Sequence, residues 1–197
     1  HASEQDRADV KARRDVWHEE LKDVDPNRLV FLDESGAQTS MTRTHGRAER
    51  GERVVSKVPG GHWKIVTMIS AIRLDGPFAA TSVVGATDSE LFLTYVREVL
   101  CPQLRVGDVV VMDNLSPHKA SGVKESIEAA GASVRYLPPY SPDFNPIEPM
   151  WNKAKHALRT IGARTVDALH NAIGVALQTS NPTDWQGFFR GCGDIAT

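Results

Sequence analysis

Three carboxylates in this 197-residue sequence stand where chemistry could use them. Asp33 follows the apolar run at 29–32, Asp113 follows the run at 109–112, and Glu148 lies inside LPPYSPDFNPIEPM, residues 137–150. In open α/β sheets, groups at the carboxyl ends of parallel strands share one edge, where ligands bind. If the two strands are neighbours, Asp33 and Asp113 lie close together. Two bare carboxylates at such range repel, and one takes up a proton. A divalent cation removes that conflict. Mg²⁺ prefers oxygen ligands, uses few carboxylates and shares the rest of its shell with water and phosphate. Three carboxylates can hold two such ions, and two ions suit in-line attack on a phosphodiester.

Each acid also has a plainer reading. An Asp at a strand end is often a turn former. Asn145-Pro146-Ile147-Glu148 fits the first positions of a helix, with Glu148 as a capping-box glutamate. Pro149 disfavours helical geometry at Glu148, so a helix starting at Pro149 is the other option. Glu34 competes with Asp33, but neighbouring strand residues face opposite ways. Asp143 is a reserve acid, and His118 could approach from the loop after Asp113. Asp75, Asp88 and Asp108 read as turn or cap residues.

The elements that must position these groups can be read along the chain. Asp6–Val24 reads as a helix that packs or connects, ended by Asp25-Pro26-Asn27, so the chain divides into a leading helix over 1–27 and a main domain over 28–197. The pattern predicts a strand from Arg28 to Asp33, ended by Glu34-Ser-Gly, then a basic loop to Gly61. Strands over 62–73 and 77–85 form a hairpin at Asp75-Gly76. Thr87-Asp-Ser-Glu90 is a capping-box pattern that opens a helix closed near Pro102. The apolar run between Asp108 and Asp113 suits a strand buried on both faces. A helix over 123–130 stopped by Gly131, a strand over 133–137, a helix carrying Trp151, Ala154, Leu158 and Ile161, and a helix over 165–179 complete the chain. That order implies a mixed α/β sheet with a parallel part, covered by helices. Five of eleven prolines fall between Pro138 and Pro149 and stiffen the approach to Glu148.

Composition sets bounds. Hydrophobic residues make up 41% and charged residues 24%, as in globular domains, and no apolar run is long enough to span a membrane. Cys101 and Cys192 fit neither a metal spacing nor a disulfide framework, so a reducing, intracellular setting is expected. The chain begins at His1, which fits a piece of a longer protein. Net charge is −2, yet six Lys/Arg against two acids occupy 41–64, and four Lys/Arg with no acid occupy 151–164. Two basic faces in a near-neutral chain could track phosphates; a solvated face is the plainer reading.

Taken together, Phe31-Leu-Asp33-Glu, Val111-Met-Asp113-Asn114 with His118, and Leu137–Glu148 with Trp151 and Lys155 resemble the DDE transposases of the mariner superfamily, in its bacterial insertion-sequence branch. Thirty-four residues separate Asp113 from Glu148, a spacing typical of that superfamily. Pro149 stands where a charged or polar residue is more usual. The resemblance covers Arg28 to about Thr179. It implies a ribonuclease H-like fold with a mixed five-stranded sheet, and a metal-binding catalytic triad of Asp33, Asp113 and Glu148. It implies Mg²⁺ or Mn²⁺, two ions per site, and double-stranded DNA as substrate: cleavage at transposon ends, then transfer of the 3′-hydroxyl into target DNA. It further implies a homodimer in the prokaryotic cytoplasm, at the nucleoid. Family members carry an N-terminal helix-turn-helix that reads the terminal repeats, for which the residues before Arg28 leave no room. Asn114, His118 and Asn145 are expected to support the site, and Arg43, Arg47, Arg50, Arg53, Lys153 and Lys155 to contact DNA. The rivals are a ribonuclease H-like nuclease without strand transfer and a silent, domesticated DNA-binding domain.

Overall fold

The computed structural model describes residues 3–195, with the backbone alone at His18. The outermost ends of the two expected segments, residues 1–2 and 196–197, lie outside the described residues. Five strands form one sheet: β1 (Leu29–Gln38), β2 (Ile65–Arg73), β3 (Gly76–Val84), β4 (Val109–Met112) and β5 (Ser133–Tyr136). Their order is β3-β2-β1-β4-β5. β1 pairs antiparallel with β2 and parallel with β4, and β4 pairs parallel with β5. The expected mixed sheet and its parallel half are present.

Alternation along the strands builds two cores. Leu29, Phe31 and Val111 point into one cluster, under the helices α1 (Ala8–Leu21), α4 (Ile147–Ile161), α5 (Val166–Leu177) and α6 (Pro182–Cys192). Val30, Leu32, Val110 and Met112 point into the other, under α2 (Ser89–Tyr95) and α3 (Val123–Ala129). A period of two in each strand sends successive side chains to opposite faces, so helices on both sides are required. The leading helix belongs to the first core: Trp17 and Leu21 are buried in it.

Several expectations need correction. β1 runs on to Gln38 because β2 pairs with it as far as Ile65, so Asp33 is mid-strand and Glu34-Ser-Gly does not end it. The hairpin turn is Leu74-Asp75; Gly76 opens β3 at φ 121°, where a Cβ would also lie 2.8 Å from the Trp185 ring. Asp88, not Thr87, caps α2, accepting from the Leu91 N–H at 2.8 Å. A π-helical turn over Val96–Leu100 and a short 3₁₀ turn through Pro102 extend that helix. α6 was not anticipated, although Asn181-Pro182 is a readable start: Asn181 caps the Thr183 and Asp184 amides. Its Phe189 ring packs edge-on against Phe31, centroids 5.5 Å apart, two residues before Asp33.

Asp108 is more than a turn former. It is fully buried at the start of β4, where Oδ2 accepts from the Arg73 guanidinium at 2.5 Å and the Arg105 amide at 2.8 Å. Arg73 in turn lies over the Phe78 ring, 3.8 Å from its centroid. This pair ties β2 to β4 across the sheet edge remote from Asp33. Removing one partner strands the other charge in the interior. Asp108→Ala is therefore expected to lose about 3–5 kcal/mol in urea denaturation. Arg73→Met with Asp108→Leu should recover most of that loss.

Candidate active site

The last parallel pair between β1 and β4 is Phe31 with Val111. Asp33 and Asp113 each lie two residues beyond it, so the register carries both aspartates to one edge. Asp33 shares the parity of Phe31 and Ala37, both in the core under α4, and therefore faces that side. Glu34 falls on the opposite face. β4 stops at Met112, and Asp113 leads into a loop folded around its own carboxylate. Its Oδ1 accepts from the Leu115 N–H at 2.9 Å and lies 2.6 Å from His118 Nδ1. His118 is fully buried, its ring centroid 4.4 Å from that of Phe92. Asn114 Nδ2 donates to the Leu137 carbonyl, which joins this loop to the end of β5.

Glu148 arrives on the proline-rich path. The helix begins at Ile147, and Pro146 stands at its cap position with no side-chain cap bond. Glu148 donates its N–H to the Asn145 carbonyl at 3.0 Å, while its side chain makes no hydrogen bond among the described residues. The capping-box reading is thereby corrected, and so is a start at Pro149. Pro149 fits inside the first turn because an N–H there has no helical acceptor anyway. The path is held from outside by Arg14 of α1. Arg14 binds both Asp143 oxygens at 3.0 and 2.6 Å and Ser141 Oγ at 2.7 Å, and lies 4.1 Å from the Phe144 ring centroid. Asp143, the reserve acid, is thus neutralised outside the site. Nothing in the charged sequence of α1 singled out Arg14; only the fold brings it 129 residues across to Asp143.

Asp33, Asp113 and Glu148 line one cavity of ≈ 460 Å³, with Asn114, Asn145 and Tyr140 also on its wall. A family model described as DDE superfamily endonuclease matches residues 28–170. The chain belongs to that family. Among solved structures, this DDE endonuclease domain is similar to the mariner Mos1 paired-end complex with Mg, at TM-score 0.76 and 15% identity over 96% of this chain and 60% of that one. It is similar to the Mos1 paired-end complex with the left transposon end, at TM-score 0.71 and 15% identity over 98% and 59%. The isolated Mos1 catalytic domain matches at TM-score 0.70 and 14% identity over 98% and 89%. The chain thus spans about three fifths of the length of the transposase chains in the two complexes. No curated protein matches it in sequence. The fold is ribonuclease H-like, as the motifs implied.

In this DDE domain the surroundings push the two aspartates in opposite directions. Asp33 is 9% exposed, and its carboxyl is pushed up to about 7. Burial is the main cause; the charges of Glu148 and Asp113 add to it, and the Glu34 amide, 2.8 Å from Oδ1, opposes it. Asp113 is half-buried, which raises it, but the His118 contact and the Leu115 amide outweigh burial and hold it below the usual carboxylate range. Oδ2 of each aspartate makes no hydrogen bond among the described residues. This all-oxygen donor set fits Mg²⁺ or Mn²⁺, which needs only one or two carboxylates beside water and phosphate. Among the described residues, no three Asp, Glu, His or Cys groups converge into a ready coordination cluster.

The expected DNA contacts separate. Arg43 and Arg47 meet His156, Arg159 and Thr160 of α4 around a second cavity of ≈ 350 Å³, so the two basic segments do converge. His156 and Arg159 were not among the expected contacts. Arg50 and Arg53 are exposed on the β1–β2 loop. Lys155 is half-buried on α4 and makes no ion pair among the described residues. Lys153 is engaged elsewhere: its ammonium pairs with Asp184 and ties α4 to α6. No helix among the described residues is long and apolar enough to cross a membrane.

Ionising Asp33 at neutral pH costs the folded state more than the unfolded one, because folding raises its pKa. The penalty is absent below about pH 4, where both states are protonated, grows as pH rises, and is complete above about pH 7. Asp33→Asn keeps an acceptor for the Glu34 amide without the charge. In EDTA it should be more stable than wild type at about pH 8, by on the order of 4 kcal/mol. The gain should vanish below about pH 4, as read by thermal melts across pH.

Proposed function

We propose that this chain is the catalytic part of a DNA transposase, with residues 28–197 as its catalytic domain and the helix within 1–27 as its connecting segment. The observation that carries the reading is the common cavity of Asp33, Asp113 and Glu148 beyond the last parallel pair of β1 and β4. Asp33, Asp113 and Glu148 would hold Mg²⁺ or Mn²⁺. Bound there, two such ions supply Lewis acidity to the scissile phosphate and lower the pKa of the attacking water.

The protein's own part is placement. His118 and the Leu115 amide fix the Asp113 carboxylate and keep it ionised. Asn114 joins the loop after Asp113 to the segment that leads to Glu148. Arg14 and the prolines hold that segment stiff, so Glu148 is placed with little entropy left to lose. Arg43, Arg47 and the exposed Arg50 and Arg53 of the β1–β2 loop, and Lys155 on α4, supply positive charge for a DNA backbone. The substrate in this reading is double-stranded DNA. Water cuts at transposon ends, and the freed 3′-hydroxyl then attacks target DNA by the same in-line chemistry. The proline-rich motif favours the bacterial insertion-sequence branch, with a homodimer acting at the nucleoid.

The test uses the full-length protein and DNA carrying the inverted repeats that flank its gene. Wild type should cut the repeat ends only with Mg²⁺ or Mn²⁺ and join pre-cut 3′-ends to plasmid. Glu148→Gln and Asp113→Asn should each lower cleavage by a factor of at least about 100 with folding intact, as loss of an electrostatic catalytic group does. Full activity in either variant sinks the triad. Cleavage without joining would instead favour a nuclease that lacks strand transfer.

A further inference from the structure

Tyr140 stands out on the wall of the carboxylate cavity. Its φ is +57°, in the left-handed region that a bulky side chain rarely enters. The conformation is imposed from both sides. Pro138 and Pro139 precede it, and a 3₁₀ turn from Pro142 to Phe144 follows. Gln5 donates to its carbonyl at 2.6 Å, and Arg14 holds Ser141 and Asp143 beyond it. The side chain gains nothing visible in return. It is 47% exposed, and among the described residues its ring has no aromatic partner and its hydroxyl no hydrogen bond. A strained backbone that presents an unpartnered ring beside reactive groups points to a use outside the fold itself.

A DNA strand in the cavity would supply that use. Asp33 is buried while Asp113 and Glu148 are half-buried, so a phosphate reaches all three most readily from a locally opened duplex, which leaves an unstacked base beside the cut. An aromatic ring at the rim gives that base a new stacking surface, whichever base it is. We propose that Tyr140 is a stacking residue for the nucleobase beside the phosphodiester held by Asp33, Asp113 and Glu148. This rests on the DNA-cutting reading above. Tyr140 takes no part in bond making or breaking; it holds the distorted strand in place.

The experiment separates the ring from the backbone turn. Tyr140→Phe keeps the ring. Tyr140→Asn and Tyr140→Gly keep the turn, since both residues tolerate positive φ, and they remove the ring. Single-turnover cleavage by the full-length protein should stay within about threefold for Phe and fall roughly tenfold to a hundredfold for Asn and Gly, the range of one lost base stack. Thermal stability of Asn and Gly should equal or exceed wild type. The specific readout is coupling: DNA made abasic at either nucleotide flanking the cut is compared with intact DNA. At one of them, base loss should slow wild type by about the same factor as Tyr140→Asn, and the two losses together should cost no more than one. Additive losses, a Phe variant as slow as Gly, or wild-type rates in Asn would overturn the stacking role. Wild-type rates in Asn with Glu148→Gln inactive overturn this inference alone, whereas an active Glu148→Gln overturns the reading beneath it.

Discussion

The parallel pairing of β1 with β4 is the constraint on which the rest depends. Its last pair, Phe31 with Val111, sets where Asp33 and Asp113 emerge. A slip of one residue would turn one aspartate to the other face of the sheet, because side chains alternate with period two. The register is held on both faces at once. Phe31 and Val111 are buried under α4 and α6, while Leu32 and Met112 are buried under α2 and α3. At the far edge, Asp108 of β4 is ion-paired to Arg73 of β2. A slip would break both cores and leave that buried pair apart.

Against this rigid frame, the site itself works at a cost to folding. Asp33 sits where burial opposes its charge, and Glu148 and Asp113 add repulsion. Tyr140 holds a backbone angle that favours glycine. These are places where the fold gives up stability locally, as functional sites tend to do. The compensation lies nearby: the Phe31–Phe189 contact under Asp33, and the Arg14 network on the loop that carries Tyr140. The leading helix thus does more than connect, since it contributes Trp17 to the core and Arg14 to the approach to Glu148.

Much of this was legible along the chain, for local reasons. Continuous apolar runs located β1 and β4. Gly131, at φ 82°, follows the end of α3 where its lack of a Cβ suits a left-handed turn. What failed, failed at boundaries set by partners. β1 continues past Asp33 because β2 lies alongside it, and no local pattern in Glu34-Ser35-Gly36 records that neighbour. The start of α4 satisfied neither local rule, because Glu148 turns from the cap toward the cavity. Lys153 looked like a free cation until α6 brought Asp184 against it.

The sequence by itself determined which groups exist and how stiffly the chain delivers them: three acids, a proline-rich approach and two basic segments, written in residue types and short-range sterics. The tertiary structure alone decided which face each acid takes, that His118 rather than water meets Asp113, and that Arg14 holds the path to Glu148. It also decided that Arg43 and Arg47 meet Arg159 around one cavity. The reason is physical. Propensities, caps and turns act over a few residues, whereas the raised pKa of Asp33 and the place of Tyr140 on the cavity wall depend on burial and neighbours supplied by strands and helices far along the chain.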